Sequence, residues 1–536
     1  MNYRIALAAL IAVSTSLRLA AAGSLGLGND EAYHFLYAIH PAASYFDHPP
    51  MVAWVERMGL MLTGPFSVMG LRLGFVALAA GSTWLMARIA RRWHGEAAGF
   101  FAALALCLSG YYGLAVGTFA LPDGPLLFFW LLTLDRIDLA LERPDRARNW
   151  LAVGLAWGLA MCAKYHAIFL PAGTVLYLLL RPERRRLLLR PGPWLAVAAG
   201  LLIFSPVIAW NAQNGWASFA FQGGRAIGGL TPRPDFLLAA IGAQAAYLFP
   251  WIWLPLMVVG WRLVRGWRDA GERGRLALCL SVAPLAAFTA VACFRPVLPH
   301  WGLVGVLPLF PALGKAMADR ARANPGRTRR RVALASAFSV GLLALAIGQY
   351  HRGWLQRGPD GDGFGPLTAR TDPTADAHGW DQVAERLDRL GVLDDPRTFL
   401  FTRNWYQSAH LAHATRLRRP VLCYNLSDAR GFAFWSDPAD WIGRDGVMVM
   451  INNDYTPFGF YEYWFHGVEA LDDFEVTRGG KPIRRVRIFR LNDQRIAFPF
   501  AYAPPPMLPN HRSLDWYGPA GEEPPRVGEH RGVVRR

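Results

Sequence analysis

Long apolar runs constrain this chain more than any other feature, because most of them have about 18 or more residues, enough for a helix to cross a bilayer. Apolar residues make up 53% of the sequence. About eleven runs qualify as predicted spans, namely 5–22, 66–90, 97–117, 122–141, 150–162, 168–180, 194–210, 236–261, 276–293, 301–313 and 332–347. The sequence therefore predicts a polytopic α-helical membrane protein with about 11 transmembrane helices.

The placement of positive charge predicts the topology of those spans. The chain carries 56 Lys and Arg against 39 Asp and Glu, a formal net charge of +17. The arginines concentrate in alternate loops, around 88–92, 136–148, 181–190, 262–275 and 315–331. This alternation follows the positive-inside rule, so we expect a cytoplasmic N-terminus, with 23–65 and everything after 350 outside. This placement of positive charge does not indicate a surface that binds nucleic acid.

Two minor sequence features bear on whether the first apolar run is a signal peptide and on whether the cysteines form disulfides or bind a metal. The small residues Ala20-Ala21-Ala22-Gly23 resemble a signal-peptide cleavage site, although the first apolar run is long for a signal sequence. Asp30 would lie outside the membrane whether or not the chain is cleaved there. The five cysteines are scattered and follow neither a disulfide framework nor a metal-binding spacing.

The first outer loop, 23–65, is rich in residues that can carry chemistry. Its two polar stretches read Gly-Asn-Asp-Glu-Ala-Tyr-His over 28–34 and Ser-Tyr-Phe-Asp-His-Pro-Pro over 44–50. We predict a helix over 30–40, capped by Asn29 or Asp30, and an amphipathic helix over 51–62 in the plane of the membrane surface. The candidate substrate-binding residues of this loop are Tyr33, His34 and Asp47.

Four more polar residues lie at the outer ends of apolar runs: Asp123, Lys164, Arg295 and His300. A charge at the edge of a membrane helix is costly unless it has a partner or a wet cavity, which makes each a candidate for function. Three of them also have a plain structural reading. Asp123 could cap its helix, Lys164 could extend to the interface, and Arg295 could anchor a helix end.

The composition changes after the last span. Residues 351–378 are rich in Gly, Asp and Pro and are predicted to be a linker. A helix over 380–390 and strands over 398–402, 421–424, 447–451 and 486–491 predict a small external α/β domain over 379–503. The Pro-rich tail 504–536 is predicted to be disordered.

Five motifs resemble, as an ordered set, the bacterial branch of glycosyltransferase family 39. They are Asp30-Glu31, Phe46-Asp47-His48-Pro49-Pro50-Met51, Leu121-Pro122-Asp123, Ala163-Lys164-Tyr165 and Leu298-Pro299-His300-Trp301. That branch is similar to protein O-mannosyltransferases, lipid A aminoarabinose transferases and lipopolysaccharide galacturonic-acid transferases. The resemblance covers roughly residues 1–350, and it implies a GT-C fold and a polyprenyl-phosphate sugar donor.

The resemblance also implies roles for the acidic residues. Asp30 matches the proposed catalytic base of the family, Glu31 is its acidic neighbour, and Asp123 matches a second acidic position. All three are candidate catalytic residues. His48 stands where the aminoarabinose transferases carry a Lys, and this departure weakens its assignment to the donor phosphate.

Three further positions that match the family are candidates for binding the donor phosphate. Lys164 matches a cation at the outer end of the fifth span, and Arg295 and His300 match the basic residue and the His of the late outer turn. Such cations would neutralise the charge that develops on the leaving phosphate, while one carboxylate removes the acceptor proton. A single displacement would invert the anomeric carbon.

The predicted function is a bacterial plasma-membrane glycosyltransferase whose site and C-terminal domain face the periplasm. It would transfer a monosaccharide from a polyprenyl phosphate to a lipid or cell-envelope glycan, or alternatively to a protein hydroxyl. A flippase for a lipid-linked sugar is the rival, although transporter-like repeats are not evident. No cofactor is certain; a divalent cation is possible, and His34, His48 and Glu31 are its potential ligands, without a recognised motif.

Overall fold

The structure is a computed structural model that describes residues 2–225, 231–357, 365–368, 371–372, 374–451 and 461–500. The described residues form two compact units, one within 2–24, 42–212 and 218–345, and one within 25–41, 213–217 and 346–500. The predicted tail 504–536 lies outside the described residues, as does part of the predicted linker. The first unit is helical, and the second contains a mixed sheet.

The helices are numbered in chain order. Helices α1 to α9 are Tyr3–Ser24, Asn29–Ile39, Met51–Thr63, Val68–His94, Glu96–Leu108, Val116–Thr118, Asp123–Glu142, Ala147–Ala163 and Phe169–Leu180. Helices α10 to α17 are Pro182–Arg185, Pro191–Gln213, Ala217–Gly224, Pro234–Leu248, Pro250–Arg265, Gly271–Ala292, Phe310–Ala323 and Pro325–Arg352. A π-helical turn, Gly110–Ala115, and 3-10 segments Tyr165–Ile168, Arg186–Leu189 and Gly302–Leu309 join some of them.

Six described helices are long and apolar enough to cross a membrane, and the number rises to eight if each of two bent pairs is one span. The prediction of about eleven spans is therefore not confirmed. Two of the predicted spans break inside their apolar runs. Helix α5 meets the segment Gly110–Thr118 at 83°, and α13 meets α14 at 113°. Helix α8, with 17 residues, is shorter than an ordinary span.

The helix predicted in the plane of the membrane surface forms as α3. Trp54, Met58, Met61 and Leu62 are exposed along it, whereas Glu56 on the same helix is fully buried. An exposed apolar stripe of this kind is typical of a helix that lies against lipid. Helix α2 also forms close to its predicted bounds. Its N-cap is Gly28, one residue before the predicted cap, and the backbone N–H of Gly28 donates to Glu31 Oε2 at 2.9 Å.

The C-terminal sheet forms with the order β2-β1-β3-β5-β4. Its strands are β1 Thr398–Thr402, β2 Val421–Cys423, β3 Asp445–Ile451, β4 Phe465–Arg478 and β5 Lys481–Gln494. Strands β1, β2 and β3 pair in parallel, while β5 is antiparallel to both β3 and β4. Helices α18 Trp380–Arg389, α19 Trp405–Ala414 and α20 Phe432–Trp435 accompany them. The prediction of a C-terminal α/β domain is confirmed in that a sheet with helices is present.

Helix α2 packs within the same unit as this sheet. The Tyr33 hydroxyl accepts a hydrogen bond from the Gly431 N–H at 2.8 Å, and its ring lies 5.0 Å from that of Trp405. Asn29 donates to Asp376 at 3.0 Å and is 3.1 Å from His410 Nε2. These contacts hold the first polar stretch of the outer loop against the C-terminal domain.

Candidate active site

A buried ion pair between Asp123 and Lys164 is the centre of the site in the first unit. Lys164 Nζ lies 2.9 Å from Asp123 Oδ1 and 2.8 Å from Oδ2. The two residues are only 7% and 5% exposed. Each charge offsets the cost of burying the other, and removal of one partner would leave an uncompensated charge.

The local backbone explains why these two side chains point inward. Helix α7 begins at Asp123 after the Leu121-Pro122 turn, and its N-cap is Pro122. Helix α8 ends at Ala163, so Lys164 takes an extended conformation before the 3-10 turn Tyr165–Ile168. The sequence also allowed a purely structural role for each residue, and both of those roles are wrong. Asp123 is not the N-cap of its helix, and Lys164 is buried instead of extending to the interface.

Aromatic and imidazole rings surround this pair. The His300 ring stacks on Tyr111 with centroids 5.7 Å apart, and the His166 ring stacks on Phe288 at 5.0 Å. The Arg225 guanidinium lies 4.7 Å from the ring centroid of Trp301 and within electrostatic range of His300. The result is a compact polar cluster at the ends of apolar helices, where a membrane protein tolerates charge only in a wet or ligand-binding cavity.

His300 is uncharged in this setting. Burial, reinforced by the Lys164 ammonium, lowers the pKa of His300 from its ordinary 6.5 to about 4. At neutral pH the ring can therefore donate or accept a hydrogen bond but adds no charge. Its predicted role at the donor phosphate stays a prediction, and a neutral ring would fill that role as a hydrogen-bond partner and not as a cation.

Substitution of His300 by Gln is expected to make the protein less sensitive to acid. Because the pKa of His300 is about 4 in the folded state and about 6.5 when unfolded, the unfolded state binds more protons between those values. The stabilisation that His300 contributes to the folded state is complete above pH 6.5. It decreases as the pH falls below that value, by at most about 1.4 kcal/mol per pH unit. Melting temperatures of wild type and variant, measured above pH 6.5 and between pH 6.5 and 4, check this. An equal loss in both proteins would contradict it.

The remaining predicted residues of the first unit lie around this cluster without joining the ion pair. Arg295 Nη1 donates to the Gly224 carbonyl at 3.1 Å. His48 is half-buried and within electrostatic range of His166. Asp47 is buried, and its backbone carbonyl accepts a hydrogen bond from Gln222 Nε2 at 2.6 Å. Their roles at the donor and substrate stay predictions.

The four predicted residues of α2 differ sharply in exposure. Asp30 is exposed in the first turn of the helix, whereas Glu31 is buried and accepts the Gly28 N–H. Tyr33 and His34 are also buried, and the His34 ring lies 5.2 Å from that of Tyr37. Asp30 is therefore the accessible carboxylate of the acidic pair. Substrate contact by Tyr33 and His34 stays a prediction.

Three residues of the cluster were not nominated from the sequence. They are Arg225, His166 and Tyr111. Arg225 had a usable signal, since it is one of few arginines in loops that are otherwise poor in them. Within the described ranges, no group of three or more His, Cys, Asp or Glu side chains could hold a metal ion. His34, His48 and Glu31 thus do not form a built site for the divalent cation considered above.

Sequence comparisons match the part of the chain that carries the ion pair. The family model described as dolichyl-phosphate-mannose-protein mannosyltransferase matches residues 47–210. Lipid A galacturonosyltransferase RgtD of Rhizobium johnstonii is 25% identical over 287 residues, 51% of this chain and 57% of that protein. Undecaprenyl phosphate-α-4-amino-4-deoxy-L-arabinose arabinosyl transferase 2 of Pseudomonas fluorescens is 28% identical over 301 residues, 53% of this chain and 52% of that protein. The matches thus span just over half the length of these curated relatives.

Structural comparison extends the likeness to most of the chain. ArnT from Cupriavidus metallidurans in the apo state superposes with a TM-score of 0.59 at 18% identity, covering 90% of this chain and 97% of that one. The same protein bound to undecaprenyl phosphate also gives 0.59. The fold is therefore of the GT-C class. Together with the family model and the two relatives, this confirms that the chain is similar to glycosyltransferase family 39.

Proposed function

We propose that this protein is a membrane glycosyltransferase that transfers a monosaccharide from a polyprenyl-phosphate donor to a hydroxyl of a lipid or cell-envelope glycan. The observation that carries the proposal is the buried Asp123–Lys164 pair. It lies within the segment matched by the mannosyltransferase family model and is flanked by His300 and Arg225. We place the reaction on the outer face of a bacterial plasma membrane, from the distribution of arginines.

Lys164 is suited to hold a phosphate because its partner does not use all of its donors. An ammonium group has three N–H donors, and the two oxygens of Asp123 account for two of them. The third is available to a phosphate oxygen of the donor. Asp123 then acts as a positioning residue that fixes the ammonium before the substrate arrives. Such preorganised charge stabilises the leaving phosphate without reorganisation during the reaction.

Asp30 is the base in this proposal. A sugar on a polyprenyl phosphate has a leaving group that is stable as an anion, so no strong general acid is needed. The acceptor hydroxyl must lose its proton, and a positioned carboxylate can take it. Asp30 is the exposed member of the acidic pair, since Glu31 is buried against the Gly28 N–H. One displacement, with attack from the face opposite the phosphate, inverts the anomeric carbon.

The acceptor is proposed from the name of one relative. RgtD is a lipid A galacturonosyltransferase, which favours a lipid or lipid-linked glycan, while the name of the arabinosyl transferase gives only an undecaprenyl-phosphate donor. A protein hydroxyl is the second candidate, and the description of the matching family model favours it. The two acceptors place the same demand on the base and on the phosphate-binding cations.

The direct test uses purified full-length protein and undecaprenyl phosphates that carry labelled sugars. We expect label to appear on a lipid A acceptor, with inverted anomeric configuration in the product's NMR spectrum. Label on a hydroxylated peptide instead would support the protein acceptor. Movement of the labelled lipid across a vesicle membrane without transfer would support the flippase and contradict the enzyme assignment.

Arg225 is expected to matter more for donor binding than Arg295. The charge of Arg225, which lies over Trp301, acts on His300 in the cluster, whereas Arg295 makes an exposed contact with the Gly224 carbonyl. A hydrogen bond to a charged group contributes about 1.5–3 kcal/mol, so Arg225→Gln should weaken donor binding by roughly 10-fold or more. Titration of each variant with undecaprenyl phosphate measures this, with Arg295→Gln as the matched control. Equal losses of affinity in the two variants would indicate that Arg295 also binds the donor phosphate.

A further inference from the structure

A groove separate from the ion-pair site opens where α1 begins, α4 ends and α5 begins. It is partly open to the surroundings and has two chemically different ends. Tyr3, Leu7, Trp84 and Ala87 form an apolar wall, while Arg88, Arg91 and the carboxylate of Glu96 line the other end. Arg4 does not line the groove but lies beside it, through its ion pair with Glu96. A groove that changes from apolar to cationic over so short a distance suits an amphiphile with a negative head.

The charges around the cationic end do not cancel. Arg91 lies 3.8 Å and Arg4 3.0 Å from the same carboxylate, that of Glu96. Arg88 shares the buried Asp135 with Arg92, at 3.2 and 2.8 Å, and with Arg136. Arg92 also pairs with Asp138 at 2.7 Å, so the five arginines 4, 88, 91, 92 and 136 share the three carboxylates of Glu96, Asp135 and Asp138. The excess of positive charge favours an anion at this end of the groove.

The pairs with Glu96 are weak enough for an anion to displace them. The Arg4 and Arg91 side chains are 78% and 48% exposed, and exposed ion pairs contribute about 0–1 kcal/mol. A phosphate oxygen could take over these guanidinium donors at little cost. Arg88 is held more firmly, because Asp135 is fully buried.

The position of the groove relative to the candidate spans points to a lipid as its occupant. Helices α1 and α4 are both long and apolar enough to cross a membrane, and the groove lies at the start of one and the end of the other. Trp84 is 48% exposed one helical turn before Arg88. A Trp beside arginines at the end of a span is typical of the membrane–water interface.

We infer that this groove binds an anionic phospholipid, with the headgroup phosphate at Arg4, Arg88 and Arg91 and an acyl chain along Leu7 and Trp84. The inference does not depend on the proposed glycosyl transfer. It concerns the end of the spans where arginines concentrate, and none of its residues has been assigned a role in the reaction. A free phosphate ion would contact only the cationic end of the groove, whereas a lipid would contact the apolar wall as well. We therefore assign the site to a lipid.

Native mass spectrometry of the full-length protein, equilibrated with equal amounts of phosphatidylglycerol and phosphatidylcholine, tests the inference. Wild type is expected to retain phosphatidylglycerol preferentially. The variant Arg4→Gln/Arg91→Gln should lose that preference by about fivefold for each arginine removed. The matched control is Arg146→Gln/Arg148→Gln, which removes the same charge from two exposed positions at the start of α8.

The outcomes separate a built site from general attraction. Loss in the groove variant alone supports the inference, whereas equal loss in both variants, or no preference in wild type, overturns it. Inorganic phosphate and chloride at equal ionic strength are expected to release the bound lipid equally. Selective release by phosphate would assign the site to a free anion instead. Both variants should keep the wild-type melting temperature in phosphatidylcholine, which excludes misfolding as the cause.

Discussion

Replacement of Lys164 by Met is expected to lower the free energy of unfolding by about 3–5 kcal/mol, because it leaves Asp123 as an uncompensated buried carboxylate. Both side chains are buried, and the ammonium contacts both carboxylate oxygens. Sugar transfer should also fall by about 100-fold or more, as expected when a preorganised charge is lost from the transition state. Denaturant unfolding in mixed micelles and single-turnover transfer measure the two effects.

The double variant Asp123→Leu/Lys164→Met separates stability from chemistry. Replacement of a buried ion pair by apolar groups of similar size is often neutral or stabilising. The double variant should therefore regain most of the free energy of unfolding that Lys164→Met loses. Transfer should not recover, since the phosphate still lacks its ammonium. A double variant that folds and transfers sugar at the wild-type rate would make the pair structural and contradict its proposed role.

The sequence indicated these two residues but not their pairing. A charge at the end of an apolar run is costly, and that cost marks Asp123 and Lys164 without any coordinates. Their contact joins the start of α7 to the residue after α8, 41 positions apart. Which helix ends meet is decided by side-chain packing across the whole bundle, and one sequence does not reveal it. For the same reason, Arg225 and His166 were not placed beside them.

Breaks inside apolar runs were the main failure of the sequence-based description. The run 236–261 was predicted as one span, yet it bends by 113° between α13 and α14. Phe249, at φ 65°, precedes Pro250 at that bend. Proline lacks an N–H and restricts the residue before it, which ends the first helix. Composition alone records this run as uniformly apolar, so it did not reveal the bend.

Strand β4 was missed for a related reason. Its alternation is weak because Glu469, Asp472, Asp473 and Glu475 place charge along a strand at the edge of the described sheet, next to β5. A signal was present in the turn that follows. Gly479 and Gly480 have φ values of 58° and 82°, and two consecutive glycines at positive φ are typical of a tight hairpin.

Replacement of Asp30 by Asn is expected to lower sugar transfer by about 100- to 10,000-fold, the range over which a general base contributes. Asn keeps the size and polarity of the side chain but cannot take a proton from the acceptor hydroxyl. Asp30 is exposed in the first turn of α2, so the melting temperature should not change. Donor affinity, measured by titration with undecaprenyl phosphate, should also be retained, because the proposed phosphate contacts come from Lys164 and Arg225.

Glu31→Gln is the matched control, since it makes the same chemical change one residue further along α2. The amide oxygen of Gln can still accept the Gly28 N–H, so the helix start is preserved and transfer should stay within a few-fold of wild type. If Glu31→Gln loses transfer while Asp30→Asn retains it, the base is Glu31. If neither variant loses transfer, proton removal does not depend on this acidic pair, and the carboxylate must be sought elsewhere.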